Sequence, residues 1–347
     1  VLKRRQILQG LSASALAPAG FAYADAGAAA LTLMVAGPDG QQTSRWGNAL
    51  ALAMEPGFPG APSVLTQPEG GLDGVTGANR LDALVMPDGK TAAILPGAAL
   101  IAWLTNDSRV HFDPTRWLPV LGGMNSGVLV ARLGSGAAPD LQTLRQMAPL
   151  RLAVSTPQSN DLAALLALGR LRVPTAPVFD LRSADARASA FAAGEVDAVF
   201  VCGENVPEDI TPLTANGGAA FFSLGVDTGS GKIGPDPLFP AVPDAIAFGR
   251  GAQSPLDNAY YAAAAAARLD FLMVLPKLSD PAALALWRQS GDAGMAAPAL
   301  AAAADASAIT LVGAPMVQDS LAAMNLAQPD QHNLLAFLEQ HFGWQPG

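Results

Sequence analysis

The feature that most constrains this chain is an alternation of short apolar runs with helix-like stretches. "LTLMVAG" precedes a helical segment from Ser44 to Met54; "AAILPG" and "GVLVAR" follow; "LRLAVST" leads into "NDLAALLALGRL", and "TAPVFDL" into "ADARASAFAAG"; then come "VDAVFVCG" and "AAFFSLG". Runs of this length, bounded by turn residues and separated by helices, are what parallel sheets with helices packed on them require. At 347 residues, of which half are hydrophobic and 14% charged, the chain can fill two such α/β lobes, each with its own core. "GSGKIGPDPLFPAVPD" lacks core periodicity and predicts a long surface excursion. "NAYYAAAAAARLDFLMVLP" predicts a helix running into an apolar strand, and Asp280 to Gln289 a capped helix; the alanine-rich stretch to Ala304 is expected to be helical.

The N-terminal segment reads as an address. Arg4 and Arg5 stand ahead of an apolar run from Ile7 to Ala24 that is broken by Gly10, Pro18 and Gly20 and ends in a small-x-small pattern at Ala22 and Ala24. The paired arginines followed by Ile7 and Leu8 resemble a twin-arginine export signal, so residues 1–24 are expected to be a signal peptide and the protein periplasmic; an ordinary secretion signal or an uncleaved anchor is the alternative. Removal of that segment leaves 17 basic against 29 acidic residues, a net charge of −12. That balance argues against nucleic acid as a partner. The lone Cys202 cannot form an internal disulfide and is expected to be a small buried side chain in a strand.

Several motifs fail as catalytic signatures. "DTGSG" at Asp227 to Gly231 occurs once, whereas an aspartic protease dyad needs two carboxylates sharing a proton. "TGSGKIG" lacks both the leading glycine and the hydroxyl of a P-loop. There is no G-x-S-x-G elbow, and His111, His332 and His341 have no zinc-helix spacing. No enzyme activity, metal or cofactor is expected. The loop "QPEGGLDGVTGANRL" is G-x-x-G-x-x-G after a proline-broken segment, which does not suit a dinucleotide.

Taken in order, "LTLMVAGPDGQQTSRW", "QPEGGLDGVTGAN", "MPDGKTAAILPGAAL", "HFDPTRWLPV", "LRLAVSTPQSNDLAALL", "AFAAGEVDAVFV" and "PLFPAVPDAIAF" resemble the periplasmic solute-binding proteins of tripartite tricarboxylate transporters, the Bug family. The resemblance covers nearly the whole chain beyond residue 24. It implies a type II periplasmic binding fold, α/β, with two lobes closing on a ligand cleft: residues 25–123 in lobe 1, 124–264 in lobe 2, and 265–347 returning to lobe 1 with C-terminal helices. It implies binding of a small carboxylate by a monomer and its delivery to membrane permease subunits. A ligand-sensing domain for a signalling partner and an exported enzyme are the alternatives.

The positions that match the family's cleft are Gly37 to Ser44, Gly71 to Ala78, Pro96 to Ala99 and Ser155 to Asp161. The candidate ligand contacts there are Gly37, Asp39, Gly40, Gln41, Thr43, Ser44, Gly71, Asp73, Gly74, Gly77, Gly97, Ala98, Ser155, Thr156, Ser159 and Asn160, with Asp180 and Arg182 on the far side. Glycines let backbone N–H groups converge, and a following helix adds its positive end. Each hydrogen bond to a charged group contributes about 1.5 to 3 kcal/mol, against about 0.3 to 2 from one helix terminus, so converging amides dominate. The competing reading is that the glycines only permit a tight turn and close helix packing. Gln41 replaces a family glycine, Ser44 an acid and Asp73 a glycine. An ionised aspartate about 4 Å from a bound carboxylate would repel it by about 4 kcal/mol at an effective dielectric of 20. Hence either Asp39 and Asp73 face solvent or the ligand carries a positive group, as an amino acid does.

Overall fold

The structure, a computed structural model, describes residues 30–132, 141–227, 233–249 and 253–345. The expected signal peptide lies outside the described residues, as does "DTGSG" beyond Asp227. The chain opens with β1 (Leu31–Ala36), β2 (Val64–Glu69), β3 (Thr91–Pro96) and β4 (Leu118–Met124). A single residue, Asn125, then separates β4 from a second sheet made of β5 (Ser126–Ala131), β6 (Leu150–Ala153), β7 (Thr175–Val178), β8 (Ala198–Gly203) and β9 (Ala219–Ser223). A small antiparallel pair, β10 (Val226–Asp227) with β11 (Ile233–Gly234), follows; β12 (Leu269–Leu275) and β13 (Thr310–Gly313) return to the first sheet.

The first sheet has the order β13-β4-β12-β3-β1-β2 and the second β7-β6-β8-β5-β9. β1 pairs in parallel with β2 and β3, whereas β12 runs antiparallel to both β3 and β4. Both sheets are therefore mixed, and two lobes are built around them. Apolar side chains alternate between the two faces of each sheet. In the first, Met34, Leu95 and Leu272 look one way, while Val35, Ile94 and Phe271 look the other; in the second, Leu129 and Phe200 oppose Val128 and Val199. A strand covered on both faces has no polar face to show, which is why these segments read as continuous apolar runs.

β2 is the strand that its sequence least advertises. The proline-broken "VLTQPE" nevertheless pairs with β1 along its whole length, Val35 opposite Pro68, because it lies at the sheet edge where a missing N–H costs no ladder bond. The described part of the glycine- and proline-rich excursion is mostly exposed or half-buried, as expected, but it is pinned by Asp236, which is fully buried and accepts from Ser126 Oγ at 2.8 Å and the Leu238 amide at 2.9 Å.

The helix Asp257–Arg268 joins the lobes. Its run of alanines from Ala262 to Ala267 is buried, and one continuous core takes in those residues together with Leu100 of the first lobe and Leu165 of the second. Small side chains let the helix sit between the two bodies at short range. Gly97 shows how short: a Cβ there would lie 2.2 Å from the Leu269 carbonyl oxygen and 2.3 Å from that of Ala266. Among the described residues no helix is long and apolar enough to cross a membrane.

Candidate functional site

A cavity of about 300 Å³ lies where the second lobe meets the start of the helix Gly97–Leu104 in the first. Ala98 closes it from lobe 1; Ser155, Ser159, Asn160, Arg182, Arg187, Cys202 and Asp209 wall it from lobe 2. The wall is made at the C-terminal ends of β6 and β8, the edge at which α/β sheets ordinarily receive ligands.

Asp161 organises this wall. Its side chain is 2% exposed and forms a two-pronged pair with Arg187, Oδ1 to Nη1 at 2.8 Å and Oδ2 to Nη2 at 2.7 Å. The same carboxylate accepts from the Ser155 amide at 2.8 Å and from Ser159 Oγ at 2.9 Å, so it shapes the turn from 155 to 160. Arg187 also donates to the Leu181 and Phe200 carbonyls. It is carried by the helix Ala184–Ala192, which Ser183 caps by accepting from the Ala186 amide at 3.2 Å. The pair is thus internally satisfied.

Three groups remain turned to the cavity with less occupation. Asn160 Oδ1 is buried and has no hydrogen-bond partner among the described residues. Arg182, 69% exposed, keeps only a long contact of 3.3 Å with the equally open Asp180, whose backbone is left-handed. Burial, reinforced by the charges of Glu208 and Asp185, raises the Asp209 carboxyl above the usual carboxylate range. Cys202 lies at the end of β8, donating to Asn125 Oδ1 at 3.2 Å and the Ala267 carbonyl at 3.3 Å, and burial pushes its thiol well above its ordinary value. A thiol held protonated is a poor nucleophile.

Of the residues singled out from the sequence, Ala98, Ser155, Ser159, Asn160 and Arg182 line this cavity. Thr156 belongs to the same turn but serves it through its carbonyl, which accepts from the Ser159 amide and hydroxyl. Asp180 is exposed beside Arg182 and does not line the cavity.

Apart from Ala98, the lobe-1 candidates do not line this cavity, and most are satisfied locally. Asp39 Oδ1 accepts from the Gly40 amide at 2.9 Å and from buried Ser44 Oγ at 3.0 Å, so the first loop closes on itself; Gln41 stands exposed at the helix start and Thr43 lies in the first turn. The Gly37 amide bonds to the Glu69 carbonyl at 2.8 Å as a bridge to β2. Asp73 does not line this cavity: its Oδ2 pairs with Arg109 at 2.7 Å, which offsets its charge, and its Oδ1 accepts from the Val75 amide. Gly71 is an exposed turn residue, Gly74 presses on Pro96 and Ala99, and Gly77 on Ala36. Gly97 is held against the carbonyls that end the alanine-rich helix. Gly74 and Gly77 thus make the close packing that the competing reading of the glycine loop requires.

A second polar cluster, which the sequence did not single out, sits beside the cavity at the lobe junction. Glu204 directly follows β8, yet its carboxylate reaches lobe 1, with Oε2 2.6 Å from Arg45 Nη2 and Oε1 accepting from the indole N–H of Trp46. Trp46 is fixed in turn against Phe271, ring centroids 5.1 Å apart. Next to it, Asp270 Oδ1 accepts from Gln42 Nε2 at 2.6 Å; burial and the Glu204 charge push this carboxyl up to about 7. The one available signal for Glu204 was its place just past the C-terminal end of a buried strand. Among the described residues no group of three or more His, Cys, Asp or Glu side chains is arranged to hold a metal ion.

No family model and no curated protein sequence matches the chain. Solved structures do. A TctC solute-binding protein from Polaromonas superposes with a TM-score of 0.66 at 15% identity, covering 90% of this chain and 98% of that one. The periplasmic binding protein BugD gives 0.55 at 15% identity, over 90% and 97% of the two chains. MatC from Rhodopseudomonas palustris, with bound malate, gives 0.55 at 17% identity, over 89% and 99%. The fold is that of the TctC and Bug solute-binding proteins.

Proposed function

We propose, on the premise of that shared fold, that this chain is a non-catalytic periplasmic receptor that captures a small carboxylate between its lobes and delivers it to a tripartite tricarboxylate-type permease. In this reading residues 1–24 are a twin-arginine leader, 25–123 and 265–347 form lobe 1, 124–264 form lobe 2, and the receptor acts as a monomer. The observation that carries the proposal is the cavity at the lobe junction, walled by the turn from 155 to 160 and by Arg182, with a buried and unpartnered Asn160 Oδ1. A volume of about 300 Å³ suits a molecule of a few heavy atoms. Two structures of this fold hold such molecules, malate in one and adipate in another.

The chemistry needed is modest. Serine hydroxyls and an arginine provide donors to a carboxylate, and charge-assisted bonds of about 1.5 to 3 kcal/mol each reach the roughly 8 kcal/mol of a micromolar complex with only a handful of contacts. The test is a thermal-shift panel of small organic acids on the purified protein, with mass spectrometry of any molecule that co-purifies. At least one carboxylate is expected to raise the melting temperature, and Arg182→Ala to weaken that shift while leaving the ligand-free melting temperature unchanged. A panel in which no acid shifts the protein, with nothing bound on purification, refutes the proposal.

A further inference from the structure

The cavity's charge inventory narrows the ligand class, resting on the receptor reading above. Asp161 and Arg187 neutralise each other inside the wall, and lobe 1 contributes only Ala98 to the lining. One cation, Arg182, remains open to a ligand, and Asp209 adds an acid. Outside the lining, two lobe-1 donors, Arg45 Nη2 and the Trp46 indole, are engaged by Glu204, whose side chain is only 7% exposed while that of Arg45 is 61% exposed. The same turn is fastened to lobe 1 a second time, through the Asn205 amide and the Ser307 carbonyl at 3.2 Å.

The geometry points to Glu204 as a built-in second carboxylate: it occupies the lobe-1 counter-charge, so that the cavity accepts monocarboxylates and turns away dicarboxylates. A ligand's single carboxylate goes to Arg182 and the serine turn. Its other end is uncharged. A second carboxylate directed at lobe 1 would have to compete with Glu204 for Arg45, whereas one directed within lobe 2 would meet Asp209. Because Glu204 spans the junction by itself, the lobes are also joined without a ligand.

The test uses isothermal titration of the full mature chain with matched pairs: butyrate against succinate, and 2-hydroxybutyrate against malate. The wild-type protein is expected to bind the monocarboxylate of at least one pair about tenfold or more tightly than its partner, a difference of roughly 1.4 kcal/mol. Glu204→Gln, checked for folding by circular dichroism, is expected to narrow that ratio by gaining affinity for the dicarboxylate. A wild-type preference for succinate or malate overturns the inference without any variant and leaves the receptor reading standing. An unchanged ratio in folded Glu204→Gln does the same. Failure of the protein to bind any of the four acids overturns this inference, while the receptor reading then stands or falls by the wider thermal-shift panel above.

Discussion

The Asp270 carboxyl makes the stability of the lobe junction depend on pH in a direction opposite to that of most aspartates. It lies in β12, accepts one bond from Gln42, and has its second oxygen buried without a partner. Burial is the largest influence on it and the Glu204 charge the next; the Gln42 and Asn125 amides and the Arg45 charge oppose them, and the balance lies at about 7, against 3.8 for an ordinary aspartate. The folded state therefore holds the proton more tightly than the unfolded chain. Its contribution is fully present below about pH 4 and is lost as pH rises to and through about 7. A displacement of about three pH units at 1.36 kcal/mol each sets an upper bound of about 4 kcal/mol on that loss. Asp270→Asn keeps an acceptor for Gln42 and cannot ionise, so it is expected to be more stable than the wild type at pH 8. For a chain of this length the bound corresponds to about 5 °C in melting temperature, and the advantage should vanish at pH 4. Urea melts of both proteins from pH 4 to 8 measure this directly. A variant that is less stable at pH 8, or a difference that stays constant across the range, refutes the assignment of a protonated Asp270.

Two further substitutions probe how the site is held. Asp161→Asn leaves Arg187 buried without its counter-ion, so a loss of about 3 to 5 kcal/mol is expected in urea melts, together with loss of carboxylate binding. Gly97→Ala drives a methyl group to 2.2 Å from a carbonyl oxygen at the junction and is expected to cost about 1 to 3 kcal/mol or more; Gly70→Ala, with open space around it, should stay within about 0.5 kcal/mol in the same melts.

These residues also show what could be seen in the sequence. β1, β5 and β8 were plain as "LTLMVA", "GVLVA" and "DAVFV", because a strand covered on both faces leaves no other pattern. The capped helix expected from Asp280 runs over Pro281–Met295, with Asp280 accepting from the Ala282 amide, since a cap is a local signal written in adjacent residues. The serine turn at 155 to 160 was legible for the same reason. Gly74, Gly77 and Gly97 were not legible in role: a glycine that lets a ligand approach and one that lets a neighbouring backbone approach look identical until distances are known. Arg187 sat unnoticed within "ADARASAFAAG" because a single arginine in a short helix ordinarily faces water. Its partner Asp161 is 26 residues away, a pairing that only the tertiary fold creates.

The acids give the same lesson a functional edge. Asp39, Asp73, Asp161 and Glu204 each find donors within the chain: their own loop, Arg109, Arg187, and Trp46 with Arg45. Local pairing offsets the charge of the carboxylate at every one of these positions. The consequence is a cavity with few charges to spare, in which Arg182 is the most open cation of the lining. The pairings of Asp39 and Asp73 lie within lobe 1, whereas Glu204 is the carboxylate that reaches from lobe 2 to donors of lobe 1.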